Sequence, residues 1–239
     1  MSLQGVSEHT LPVLRKLMEY KELQEYYLVG GTGLSIHKKY RLSEDIDLFY
    51  YNPFPGKRKP LPNLDQFLAK IKNDFKKVTV KSSSAKKQYI ELDVENVKIQ
   101  LNSEWRFHRS KKYSKLGEIR LPDSVSLIGM KLITLTLRKE WRDIYDLYAL
   151  ARDHSPAEFK KGYDQIMSSY YCNGSKKAKE SLFYKIVDKL RDLDFLSTLY
   201  KKESLAAMEP KYDIKPQDAA NHFANMGFES LKKQDKQKG

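Results

Sequence analysis

Between Tyr26 and Tyr50 the chain reads YYLVGGTGLSIHKKYRLSEDIDLFY, and this stretch limits the possible folds more than any other. Its start, YYLV, is a short apolar run of the kind that forms a buried strand. Gly30 and Gly31 follow directly, and residues 32–40 have the length and pattern of a short helix. After Arg41-Leu42-Ser43-Glu44 a second strand is expected over residues 45–50. Strand side chains alternate between faces, so this strand puts Asp45 and Asp47 on one face and Ile46 and Leu48 on the other.

Two carboxylates side by side on a stiff strand repel each other. The arrangement becomes favourable when a divalent cation lies between them. An all-oxygen set suits Mg²⁺, which keeps some water and takes its remaining ligands from phosphate. The glycine pair lets the backbone approach a ligand closely. The helix that follows turns its free N–H groups towards the same place, which favours a phosphate. Either half alone is also what a plain tight turn or a solvated strand face would show. Joined across thirteen residues, Thr32 to Glu44, each at the boundary of an apolar strand, they point to a place where metal and nucleoside triphosphate meet.

The 239 residues suffice for one large domain or two small ones, and 16 Tyr with 10 Phe argue against a disordered chain. Lys and Arg total 44 against 31 Asp and Glu, a net charge of +13. Nucleic acid is therefore the first partner to consider, although a Lys-rich solvated surface gives the same balance. Cys172 is the only cysteine, which excludes an internal disulfide and a cysteine-built zinc site and fits a reducing compartment. No apolar run is long enough to cross a membrane and no signal-peptide pattern is present, so a cytoplasmic protein without a membrane partner is expected.

Around this stretch, residues 6–20 carry an amphipathic helical stripe of Leu11, Leu14, Leu17 and Met18. Residues 52–62 hold four prolines and Lys57-Arg58-Lys59, the text of a basic loop. A helix over 63–75 capped by Asn63, and strands at 78–81, 88–94 and 97–101, follow from their periodicity. Residues 105–115 interleave rings and cations, among them Trp105, Arg106, Phe107, Arg109 and Tyr113. That suits single-stranded nucleic acid, and equally a solvated loop with its rings tucked into the core. From Pro122 the pattern is helical: 124–137, 141–151, two or more helices over 155–203 broken near Asn173-Gly174, and a last helix over 217–231. Lys131 is the only charge in VSLIGMKLITLTL, so it must reach solvent or face an anion. Asp143 and Asp146 lie one turn apart on the next helix, with Arg138 and Arg142 close enough to pair with them. The chain divides into an α/β core, residues 1–121, and a helical region, residues 122–239, with helices 124–151 packed back on the sheet.

The order Gly-Gly, thirteen residues, Asp-x-Asp resembles the signature of the nucleotidyltransferase superfamily related to DNA polymerase β. The fuller text, Gly30-Gly31-Thr32 with Arg41, Ser43, Asp45, Ile46, Asp47 and Leu48, is similar to one branch of it, the AbiEii/AbiGii-type toxin nucleotidyltransferases that include the MenT-like enzymes. Lys131, Arg138, Arg142-Asp143 and Asp146-Leu147 match that branch in order and spacing, and the resemblance spans roughly residues 26–150. It implies an α+β fold: a polymerase-β-like core, a small mixed sheet flanked by helices, then a C-terminal helical region whose first two helices complete the active site. It implies one or two Mg²⁺ ions on Asp45 and Asp47, and a triphosphate bound by Gly30, Gly31, Thr32, Ser43, Lys131 and Arg138. Catalytic roles would fall on Asp45, Asp47, Lys131 and Asp143. The implied reaction moves a nucleoside monophosphate from NTP to an acceptor hydroxyl, on RNA and specifically a tRNA 3′ end. The implied biology is the toxin of a bacterial toxin–antitoxin or phage-defence pair, with a cognate antitoxin.

One departure stands out. Many superfamily members carry a third carboxylate, as catalytic base, on a central strand, where this chain has Gln100 beside Asn102. Neither side chain accepts a proton. Glu91 or Asp93 on the neighbouring strand are the substitutes, failing which deprotonation falls to Asp143, to water or to nothing. Two other readings fit the residues: nucleotidyl transfer to a small molecule or protein, and a nucleic-acid-binding protein with a degraded active site.

Overall fold

A computed structural model describes residues 3–51, 59–104, 112–170, 175–202 and 209–237. It divides into two compact units, Met1–Asp123 and Ser124–Gly239. The first unit is a mixed seven-stranded sheet with helices, the second is helical, and the fold is α+β as expected. No helix among the described residues is long and apolar enough to cross a membrane.

The elements of the first unit are α1 (Thr10–Leu17), β1 (Tyr26–Val29), α2 (Gly30–Lys38), β2 (Ile46–Tyr51), α3 (Leu64–Asp74), β3 (Val78–Ser83), β4 (Tyr89–Val94), β5 (Val97–Glu104), β6 (Tyr113–Leu116) and β7 (Ile119–Pro122). The sheet order is β3-β4-β5-β2-β1-β7-β6. The interior strand β1 is buried along its whole length, which explains its unbroken apolar text. It runs antiparallel to β2 and parallel to β7, while β2 runs parallel to β5. In β4 and β5 the alternation is realised: Ile90, Leu92, Val94, Val97, Ile99 and Leu101 are core, joined by a tight turn in which Glu95 and Asn96 both take positive φ (52° and 67°). Such a turn matches the right-handed twist of a hairpin.

The elements near the corner differ from the sequence reading in three boundaries, and one hairpin was not expected. The first helix begins at Thr10, because the residues before it pair with β2's approach: Ser7 N–H donates to the Ser43 carbonyl (3.1 Å) and Ser43 N–H to that of Gly5 (3.0 Å). The second strand runs from Ile46 to Tyr51, so Asp45 lies one residue ahead of it. The helix expected over 32–40 starts at Gly30 and ends at Lys38, followed by Lys39 in the left-handed region (φ 51°). The hairpin β6–β7 was not expected: Tyr113 and Ser114 are exposed and charges at Lys115 and Arg120 mask the alternation. The basic loop at Lys57-Arg58 and the ring-and-cation stretch from Trp105 to Lys111 lie outside the described residues.

The second unit contains α4 (Ser124–Leu137), α5 (Trp141–Ala151), α6 (Pro156–Tyr170), α7 (Lys176–Arg191), α8 (Leu193–Lys202), α9 (Pro216–Asn225) and α10 (Phe228–Gln237). Helices α4 and α6 approach backbone to backbone: a Cβ on Gly129 would overlap the Gly162 carbonyl, and one on Gly162 the Val125 carbonyl. The single helix expected over 217–231 is two helices. Gly227, at φ 81°, ends α9 as only glycine readily does and lets Phe228 turn into the core. The break expected at Asn173-Gly174 lies outside the described residues.

Candidate active site

The first group of interest is a corner of the first unit where β1 runs into α2. Val29 faces Asp47 across the β1–β2 ladder, so Gly30 comes next to that acid. Gly30 takes φ 65°, and a Cβ there would overlap the Asp47 carboxylate. A Cβ on Gly31 would overlap the Arg41 guanidinium and lie 3.0 Å from the Ser43 hydroxyl. Bare backbone at both positions is thus a packing requirement of the corner. The buried Thr32 hydroxyl donates to the Asp45 carbonyl and shares a 2.8 Å hydrogen bond with the Ser43 hydroxyl. This pins the residue ahead of β2 to the first turn of α2. The structure therefore brings Gly30, Gly31, Thr32, Ser43, Asp45 and Asp47 together. Sequence reasoning gave Arg41 no role, yet it is buried here, its Nη1 donating to the Leu42 carbonyl (3.0 Å).

Asp45 and Asp47 are partly exposed, whereas the residues between and beyond them, Ile46 and Leu48, are fully buried. Among the described residues no group of three or more His, Cys, Asp or Glu is arranged to hold a metal ion. A two-carboxylate set fits Mg²⁺ when phosphate and water provide its other ligands, and the free N–H groups of the first turn of α2 fit the phosphate.

A lateral row extends from Asp47. Asp47 pairs with Gln100 on β5, and Gln100 pairs with Glu91 on β4. Residues paired across neighbouring strands share a face. Gln100 Nε2 donates to Glu91 Oε2 (2.6 Å) and lies 3.1 Å from the Tyr89 hydroxyl, which itself donates to Glu91 Oε2 (3.0 Å). These two donors, Gln100 first, hold the Glu91 carboxyl below the usual range. Asp93 sits further along β4, opposite Lys98 and 3.7 Å from Lys81. Of the two acids on β4, only Glu91 is in register with Asp47.

The second group lies in the second unit. Lys131 on α4 is buried, with its Nζ 2.7 Å from Asp143 Oδ1 and 2.6 Å from Asp146 Oδ2. Both aspartates are fully buried. Three residues apart on α5, they share a face. Arg138, just past the end of α4, forks onto Asp143 with Nε at 3.1 Å and Nη2 at 3.2 Å. Two acids thus meet two cations. Arg142 instead binds Glu140 (2.7 Å). The anion that lets Lys131 sit in an apolar helix is this aspartate pair. Asp146, expected to pair with Arg138 or Arg142, meets Lys131, because nothing in the sequence tells that this helix carboxylate is buried.

The sequence pattern of the AbiEii family, "Nucleotidyl transferase AbiEii toxin, Type IV TA system", matches residues 13–225. The chain belongs to the AbiEii family. It is a nucleotidyltransferase of toxin–antitoxin type, and the family likeness seen over residues 26–150 extends through most of the helical unit. Two Helicobacter pylori structures share the fold. JHP933 has a TM-score of 0.59 at 15% identity, covering 97% of each chain. A protein classed as a nucleotidyltransferase has a TM-score of 0.58 at 15% identity, covering 95% of this chain and 98% of its own. No curated protein matches the sequence significantly.

Proposed function

We propose that this AbiEii protein transfers a nucleoside monophosphate from NTP to a hydroxyl of RNA, with a tRNA 3′ end as acceptor, and acts as a growth-arresting cytoplasmic toxin restrained by a cognate antitoxin. The observation that carries the reading is the corner where Gly30, Gly31 and Thr32 meet Ser43, Asp45 and Asp47. Asp45 and Asp47 would hold one or two Mg²⁺ ions, which when bound orient the phosphates and offset the charge that develops on them.

Around that chemistry each residue has a stated task. The N–H groups of the first turn of α2 and the Ser43 hydroxyl bind phosphate oxygens. An ammonium carries three N–H bonds. Two of those on Lys131 are directed at Asp143 and Asp146, and a third serves a phosphate oxygen. Asp143 positions that lysine and Arg138, the residue that the family resemblance assigns to the nucleotide. The acceptor oxygen attacks the α-phosphorus, the bond from that phosphorus to the bridging oxygen breaks, and pyrophosphate leaves. The acceptor proton passes to Glu91, the ionised carboxylate in register with Asp47, directly or through water. Net positive charge favours a polyanionic acceptor.

The test is incubation with each labelled triphosphate, Mg²⁺ and total RNA, for wild type and Asp47→Ala. Label in RNA for wild type alone supports the reading. Label in protein or in a small molecule moves the acceptor to those classes. RNA binding that survives Asp45→Ala/Asp47→Ala, with no transfer by wild type, leaves only a binding protein.

A further inference from the structure

The second unit holds an open cavity of about 570 Å³ to which none of the proposed site residues contributes. It lies among the C-terminal end of α5, the segment 209–215 and α9, and its size is within the range of roughly 300–1,000 Å³ typical of small-molecule sites. It is also on the wrong side of α5 to belong to the lysine–aspartate cluster. At 100° per residue, Tyr148 is about 140° and Arg152 about 180° around the helix from Asp143.

Its lining has a particular chemistry. Three rings converge: Tyr148 lies 4.8 Å from His222 and 6.5 Å from Tyr212, centroid to centroid. Two cations join them, with the Arg152 guanidinium 4.8 Å and the Lys211 ammonium 5.7 Å from the Tyr212 ring centre. The segment is fixed from beneath, because Tyr212 N–H donates to the hydroxyl of the buried Tyr145 (3.1 Å). Two acids also line the cavity, and both are engaged by Lys215: Asp213 with its Nζ (2.8 Å) and Asp218 with its backbone N–H (3.1 Å). Burial, with a smaller contribution from Arg152 and against a hydrogen bond to Ala151, lowers the His222 pKa and so favours the neutral ring.

Rings without cations would suit an organic cation, and cations without rings a bare phosphate. Rings and cations together suit a planar base joined to an anion. We infer that this cavity binds one nucleotide unit, its base against Tyr148, Tyr212 and His222 and its phosphate against Arg152 and Lys211. The inference deepens the proposed function by giving the RNA acceptor a second foothold, remote around α5 from Asp143, and it rests on RNA being the acceptor class only for the source of that nucleotide.

The test is fluorescence anisotropy with the full chain and a labelled single-stranded 12-mer RNA, competed with adenosine 5′-monophosphate or inorganic phosphate. Tyr148→Leu keeps apolar volume but loses the stacking face, and should weaken binding roughly tenfold or more, whereas Tyr148→Phe should bind as wild type. Arg152→Gln/Lys211→Gln should weaken binding and flatten the salt dependence by about 0.7 in the log–log slope for the phosphate released. These two side chains are on the surface, so that variant remains informative if Tyr148→Leu melts early. Displacement by adenosine monophosphate identifies a pocket that also takes free nucleotide; no displacement identifies a strand-only site. Wild-type affinity and slope in both variants, or equal displacement by phosphate alone, overturns the inference. The transfer assay separates the two ideas: absence of label in RNA removes the acceptor reading while leaving nucleotide binding to be judged by anisotropy.

Discussion

The two acidic groups of this molecule are built in opposite ways. In the helical unit, two fully buried aspartates are matched by two cations at hydrogen-bonding distance, so their charge is offset within the group. In the sheet unit, Asp45 and Asp47 are partly exposed, and what shapes their surroundings is missing side chain: two glycines where any Cβ would strike Asp47 or Arg41. The first arrangement holds a fold together. The second keeps two acids partly exposed beside bare backbone, the arrangement on which the proposed site rests. The difference decides how mutational data on these groups should be read, because loss of activity has different causes in the two places.

The largest effect should come from Lys131→Ala. It strands two buried carboxylates and should cost about 3–5 kcal/mol of stability, seen as a large drop in urea or thermal midpoint. A variant with wild-type stability would show that Lys131 does not offset the buried charge of the two aspartates. Loss of transfer in Lys131→Ala carries meaning only where the variant is shown to be folded. Next is Gly30→Ala, which places a side chain at φ 65° and against Asp47, and should cost about 1–3 kcal/mol while abolishing transfer. Tolerance of alanine there, in stability and activity alike, would remove the reason for calling the corner a site.

These contrasts also explain what was legible beforehand. The glycine–aspartate corner falls within 18 residues, Gly30 to Asp47, so its residue types and spacing were enough to propose it. Strand β1 and helices α4 and α5 have the expected bounds because the apolar run of β1 stops at Gly30, while α4 and α5 start just after Pro122-Asp123 and Arg138-Lys139-Glu140, where the punctuation is strong. Strands β6 and β7 were hidden because β6 is an edge strand with three of its four residues exposed, which leaves no period to read. The α9–α10 break was written in Gly227, but a glycine within a helical pattern is ambiguous until its φ is known. The roles of Asp146 and Arg41 depend on burial, which comes from packing between elements distant in the chain.

A smaller effect tests the row beside Asp47. Gln100→Leu removes the main donor to Glu91, whose pKa should rise back towards the ordinary glutamate range, as followed by NMR titration. A carboxyl lowered in the folded state stabilises above its unfolded pKa and loses that contribution as pH falls through the folded value. The variant should therefore be slightly less stable than wild type at neutral pH and converge with it in acid. An unmoved Glu91 titration would show that the Gln100 contact is not made in solution.

The central claim is that the Gly30–Asp47 corner does chemistry while the Lys131–Asp143–Asp146 cluster first of all holds structure. Asp47→Asn tests it most directly, by measuring the thermal midpoint together with label transfer from NTP to RNA. The account predicts a midpoint close to wild type, within about 0.5 kcal/mol, with transfer reduced by roughly a hundredfold or more. Unimpaired transfer, or a loss of transfer that merely tracks a loss of folding, would contradict it.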